Sequence, residues 1–307
     1  MNSFTRRRFM TTSGATAAAS VLSVGADEIS DGWIDAHVHV WTDDRAAFPI
    51  SKNFSEKEMD PPNFPPSTLL AEQKGTGVTR TVLIQMSFYE FDNSYMLDTI
   101  AADPGRFRGV AIVDADDNEV AQQMVDLKGK GVRGFRLYAF PDNVAKWESS
   151  EGIQTMWRTG AEQGLAMCCL TDPAALPVVH RMCEAFPDTT VVIDHFARVG
   201  MRGDVDQAEL DQLLALADFE NVYVKTSAFY ALGKKAPPYT DLAPMFQQLR
   251  DAFGSERLMW GSDCPYQVQG DHSYEASVAL VRDKLDFLSD AEKEDIMKNT
   301  AEKVFFG

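Results

Sequence analysis

Apolar residues along this chain gather in short runs separated by longer segments of helical period. The first run, Trp33-Ile-Asp-Ala-His-Val-His-Val-Trp41, has the two-residue alternation of a strand. Similar runs occupy 79–86, 107–113, 132–138, 165–170, 190–195, 221–227 and 258–263. Between them apolar positions recur every three or four residues over 67–74, 119–130, 153–163, 174–186, 206–217 and 241–253. The tail 289–306 reads as a closing helix. Gly77, Gly131, Gly164 and Gly254 stand where a helix stops before the next strand. Strands alternating with helices imply parallel pairing. Eight such units in about 250 residues predict a single-domain α/β fold, the (β/α)8 TIM barrel. A doubly wound open sheet is the alternative, but the Gly-rich fingerprint expected after its first strand is absent.

The N-terminus breaks this rhythm. Arg6-Arg-Arg8-Phe-Met precedes an uncharged Ala/Ser/Val-rich stretch ending in Val24-Gly-Ala26. Basic residues, a modest apolar run and a small-x-small end predict a removable export signal over residues 1–26, ahead of a barrel domain over 27–307. The paired arginines followed by Phe-Met resemble a twin-arginine signal, so the expected partner is the twin-arginine export machinery. The expected location is periplasmic or secreted, with no membrane attachment after cleavage.

The formal net charge is −17. Residues 1–26 carry three arginines and no acid, so their removal leaves −20. This balance argues against nucleic acid and anionic membranes as partners and leaves a small molecule as the expected ligand. Of the four cysteines, Cys168 and Cys169 are adjacent in one apolar run, Cys183 lies in a helical pattern, and Cys264 follows Asp263. No zinc-type spacing occurs, and buried free thiols are expected.

Chemistry concentrates at strand ends. His37 and His39, two apart in a strand, point the same way, while Ile34, Ala36, Val38 and Val40 fill the other face. His195 closes the run from Thr190, and Asp263 closes the run from Leu258. Barrel enzymes carry their chemistry at the C-terminal ends of strands, and strands 1 and 8 are neighbours in a closed barrel. His37, His39, His195 and Asp263 are therefore expected at one mouth. Asp35 is expected to face away and orient its surroundings.

With these residues in place, the chain resembles the amidohydrolase superfamily, in its amidohydrolase-2 branch. Ile34-Asp-Ala-His37-Val-His39 resembles the branch's strand-1 Asp-x-His-x-His, and Trp260-Gly-Ser-Asp263-Cys-Pro265 its strand-8 motif. Asp194-His195 and Gly134-Phe-Arg136 resemble the lactonase subgroup, which includes 2-pyrone-4,6-dicarboxylate lactonase and sugar-acid lactonases. The resemblance implies a hydrolase that opens a small carboxylated or sugar-acid lactone. Asp263 would be the base for the attacking water, and His37, His39 and His195 would polarise the carbonyl. They would do so directly or as ligands, with Asp263, of one divalent metal ion, zinc being the expected one. Burial is expected to raise the Asp263 pKa. Arg136 would bind a substrate carboxylate, and Tyr138, Tyr266 and His272 are candidate substrate contacts. Trp41, Tyr89 and Phe140 are further candidate walls. Binuclear members bridge two metals with a strand-4 lysine or glutamate, where this chain has Arg136. Metal-dependent decarboxylases carry a strand-5 histidine, where it has Cys168 and Cys169. Zinc-dependent decarboxylation of an aromatic-type acid is the second reading, and a non-catalytic solute-binding barrel the third.

Overall fold

The computed structural model describes residues 32–307. The expected signal over residues 1–26, and the domain boundary after it, lie outside the described residues. Eight strands follow one another: β1 (Trp33–Val38), β2 (Val78–Ile84), β3 (Phe107–Ala111), β4 (Val132–Ala139), β5 (Ala166–Thr171), β6 (Val191–Ile193), β7 (Val222–Ser227) and β8 (Leu258–Gly261). Each pairs in parallel with its successor. The barrel closes just past the end of β8. There Asp263 N donates to His37 O and His39 N donates to Cys264 O, each at 2.8 Å.

Among the described residues, seven helices of eight residues or more fill the crossovers: α1 (Pro66–Gln73), α2 (Ser94–Ala102), α3 (Val120–Lys128), α4 (Glu151–Gln163), α5 (Leu176–Ala185), α6 (Gln207–Leu214) and α7 (Ala243–Phe253). Local chemistry explains their limits. The Ser150 side chain caps α4 by accepting from Ile153 N, and Gly164 ends it at φ 63°, a left-handed conformation that suits glycine. Helix α2 is absent from the pattern reading, although it buries Met96, Thr99 and Ile100 at helical spacing. The tail is helical over 290–306, partly as π turns.

Two apolar layers hold the barrel together. The outer layer lies between sheet and helices. The inner one contains Ile34, Ala36, Val82, Ile84, Val110, Ala166, Cys168, Val192, Tyr223 and Met259. Ala301 and Phe305 of the tail pack against this inner set. All four cysteines are buried and free, with Cys168 in the inner layer and Cys169 in the outer one.

The register corrects the simple alternation read for β1. Asp35 pairs with Thr81 but Val38 pairs with Leu83, so Ala36 and His37 together oppose one residue of β2. This bulge reverses the parity of the strand. Ile34 and Ala36 point into the barrel with the inner layer, Val38 points outward, and His37 and His39 still point to the mouth. Asp35 faces away from the histidines, as expected, because the bulge separates them.

Candidate active site

Several predicted strand ends are not strand. Residues 39–40, 194–195 and 262–263 leave the ladder and form the start of the mouth loops. The backbone there is unusual. His195, Phe196, Ala197 and Arg198 all have φ between 52° and 60°, and Asp263 has φ 63°. Left-handed non-glycine residues cost of order 1–3 kcal/mol each and persist only where the surroundings impose them, often at functional sites. The His195 turn is imposed by the buried Phe196, which packs on Phe246 at 5.3 Å between ring centroids. The Asp263 conformation is imposed by the hydrogen bond of its N–H to His37 across the seam.

These turns bring the four expected residues together. Asp263 Oδ1 lies 3.3 Å from His39 Nε2 and 3.6 Å from His37 Nε2, and Asp263 Oδ2 lies 3.8 Å from His195 Nε2. The His37 ring is 4.3 Å from that of His195 and 5.1 Å from that of His39. Tyr230 donates its hydroxyl to Asp263 Oδ2 at 2.7 Å. All four residues are buried.

Second partners orient the rings. His39 Nδ1 lies 2.9 Å from the Ile84 carbonyl, which can only accept, so Nδ1 carries the proton and Nε2 the lone pair. His195 Nδ1 lies 2.8 Å from Ser227 Oγ. His37 Nδ1 lies 3.3 Å from Lys225 Nζ and 3.4 Å from Asp194 Oδ1, and Lys225 Nζ is 3.1 Å from the same oxygen. Behind the strand, Asp35 Oδ1 accepts from the backbone N–H groups of His37 and Ser262, and Asp35 Oδ2 accepts from Tyr274. Asp35 thus ties the bulge to the end of β8.

The expected rise in the Asp263 pKa is not found. Burial pushes it up, but the imidazoles of His195, His39 and His37 around it outweigh burial and hold it below the usual carboxylate range. Burial lowers the pKa of both His37 and His195, which favours neutral imidazoles. Asp194 is also held well below its usual value: burial opposes this, and Lys225 and His37 prevail.

Above Asp263 opens a cavity of about 410 Å³. His39, His195, Asp263, Arg136, Tyr138 and Tyr266 line it, as do Tyr230, Phe140 and Arg198. A wider cavity of about 1010 Å³ adjoins it and shares Ser87, Arg136, Tyr138 and Phe140, but contains none of the histidines or Asp263. The chemistry therefore belongs to the smaller one. His272 does not reach its wall. It sits a layer back, its Nδ1 2.8 Å from Tyr239 Oη and its ring 6.1 Å from that of Tyr230. Trp41 and Tyr89 are core residues packed on Phe88, not pocket walls. The structure adds Lys225, Asp194, Ser227 and Tyr230 to the site, none of which the strand-end pattern marks as a participant. A lysine inside the apolar run Val222–Ser227 was the available signal, since a fully buried lysine requires a partner.

His37, His39 and Asp263 each offer one ligand atom, all within 4.8 Å of one another, a set that could hold one metal ion. The donor chemistry fits a cation in one respect. His39 Nε2 and Asp263 Oδ1 are both acceptors, and Asp263 Oδ1 has no hydrogen-bond partner, so a proton or ion between them would relieve their opposition. No strand-4 carboxylate or lysine stands ready to bridge a second ion, since Arg136 occupies that place.

The amidohydrolase family model matches residues 34–307. The chain belongs to the amidohydrolase family. It is 28% identical over 240 residues to a 4-sulfomuconolactone hydrolase of Rhizobium radiobacter, covering 78% of this chain and 77% of that one. It is 27% identical over 250 residues to a 2-pyrone-4,6-dicarboxylate hydrolase of Comamonas testosteroni, covering 78% and 79%. Among solved structures, a candidate 2-pyrone-4,6-dicarboxylic acid hydrolase of Pseudomonas putida is similar with a TM-score of 0.74 at 27% identity, covering 90% of this chain and 97% of that one. The expected family and its lactonase branch are borne out.

Proposed function

We propose that the protein hydrolyses a small lactone carrying an anionic group, with Asp263 as the base. The observation that carries this reading is the buried Asp263 carboxylate, surrounded by three imidazoles at the floor of a cavity that also presents Arg136. The names of the two curated relatives support the substrate class. Asp263 stays ionised over the physiological range, so its Oδ1 can take the proton of a water attacking the lactone carbonyl. His195, at the cavity wall with its Nδ1 against the Ser227 hydroxyl, donates an N–H to the developing oxyanion. The ring C–O bond then breaks, and the leaving oxygen recovers the proton from Asp263. Arg136 holds the substrate anion by paired N–H donors. Tyr138 and Tyr266 form the walls that exclude water.

A divalent ion, where present, would be held by His37, His39 and Asp263, with His195 beside them, and would supply carbonyl polarisation and a more acidic water; zinc suits this nitrogen and oxygen donor set. The export reading stands beside this one: Arg6, Arg7 and Arg8 would engage the twin-arginine machinery and place the enzyme in the periplasm or outside the cell.

The reaction is tested by incubating the purified protein with a panel of carboxylated and sugar-acid lactones and identifying products by mass spectrometry. A ring-opened hydroxy acid that keeps every carbon supports lactone hydrolysis. Release of carbon dioxide would instead assign the protein to the decarboxylases. Binding without turnover across the panel would favour the solute-binding reading.

A further inference from the structure

The His37 ring lies in a triangle with two groups of opposite hydrogen-bonding character. Its Nδ1 is 3.3 Å from Lys225 Nζ and 3.4 Å from Asp194 Oδ1. A lysine ammonium has donors only, and a carboxylate has acceptors only. If Nδ1 bonds Asp194 it carries the proton, and Nε2 offers a lone pair to the site. If Nδ1 bonds Lys225 it must accept, and the ring proton moves to Nε2. The geometry separates the two. The Lys225 contact has hydrogen-bond geometry, whereas Asp194 Oδ1 and Oδ2 lack it towards any group. Accepting from Lys225 also avoids pointing an N–H at an ammonium. On the far side, His37 Nε2 and Asp263 Oδ1 face each other at 3.6 Å, and neither has a hydrogen-bond partner. A proton on Nε2 suits that oxygen, and a lone pair opposes it.

We propose that Lys225 is a positioning residue which fixes His37 as the Nε2–H tautomer, making it a donor towards Asp263 and removing it from the set of metal ligands. His39 and Asp263 are then the two ligand atoms left in the cluster, and the site runs without a tightly held ion. Asp194 serves as counter-charge to Lys225, which is fully buried. The inference deepens the reading of the same site, but its test reads protons and bound metal instead of turnover, so either can fail alone.

The direct test is a long-range ¹H–¹⁵N spectrum of the whole protein with ¹⁵N-labelled histidine, the His37 signals assigned from a His37→Gln sample. The expected result is a protonated Nε2 and an unprotonated Nδ1. A protonated Nδ1 overturns the proposal, and the tautomer itself is read on the wild-type chain. Zinc titration by calorimetry gives the second readout. Lys225→Met frees Nδ1 to donate to Asp194, so zinc should bind at least ~10-fold tighter than in the wild type, the lower end of what outer partners contribute. Asp194→Asn, which keeps Lys225, should retain the wild-type tautomer. Stoichiometric, dialysis-resistant zinc in the wild type, or a tautomer that follows Asp194 instead of Lys225, would refute it.

Discussion

Gly261 is the position where a single methyl group should separate packing from chemistry. It lies in β8 opposite the bulge of β1, and a Cβ built there meets His37 Cβ at 2.8 Å and His37 N at 3.0 Å. Ordinary contact begins near 3.4 Å, so the two strands must part by about 0.6 Å. Neither neighbour is the free end of a flexible side chain. The strands cannot part freely either, because Asp263 N bonds His37 O and Asp35 bonds Ser262 N across the same seam. Overpacking of this kind costs about 1–3 kcal/mol. At roughly 2–4 °C per kcal/mol for domains of somewhat smaller size, Gly261→Ala should lower Tm by roughly 2–10 °C. The displaced atoms belong to His37 and Asp263, and misplacement approaching 1 Å can cost ~10²-fold in rate, so kcat/KM should fall by up to that factor. Thermal melts by circular dichroism and lactone hydrolysis rates measure the two effects. Gly164→Ala is the control: its Cβ meets nothing within 4 Å, but φ 63° makes alanine costly, by about 1–2 kcal/mol. That variant should lose stability and keep its rate. If Gly261→Ala melts and turns over like the parent, the close approach of β8 to His37 is not what shapes the site.

Asp263→Asn preserves the shape but cannot accept the water's proton, so kcat should fall ~10²–10⁴-fold with an unchanged circular dichroism spectrum; a fully active variant would remove Asp263 as base. Arg136→Met should raise KM with little change in kcat if the arginine holds the substrate anion equally in ground and transition states, and an equal loss in kcat would show a contact made only in the transition state. Asp35 gives a pH signature. Burial raises its pKa to about 6 from 3.8, so its stabilising contribution is complete below about pH 4 and is lost as pH rises through 6. The shift of about two units corresponds to roughly 3 kcal/mol, so Asp35→Asn should gain about that much relative to the parent between pH 4 and pH 8 in urea melts, and a pH-independent difference would exclude it. Replacing Arg6, Arg7 and Arg8 with Lys should leave folded enzyme in the cytoplasm, as cell fractionation would report; unchanged delivery to the periplasm would count against the twin-arginine route.

The sequence by itself determined the barrel, because strand and helix periods are local and the chain repeats them eight times. It also determined which histidines and which aspartate meet. Their positions at strand ends, together with the rule that parallel barrels display those ends on one face, leave them a single mouth. What local pattern does not carry is register. The β1 bulge exists because β1 must match β2 on one side and the end of β8 on the other. It puts Ala36 and His37 on the same side and separates Asp35 from His37, against strict alternation. The electrostatics of Asp263 were equally invisible. Burial alone would raise its pKa, and only the spatial sum of His195, His39 and His37 reverses the sign. Lys225 in β7 and Asp194 just past the end of β6 are 31 positions apart, and no periodicity links them to His37. Tertiary structure alone decided those contacts, because hydrogen bonds and ion pairs act over a few ångströms and the closure of the barrel sets which side chains come within that range.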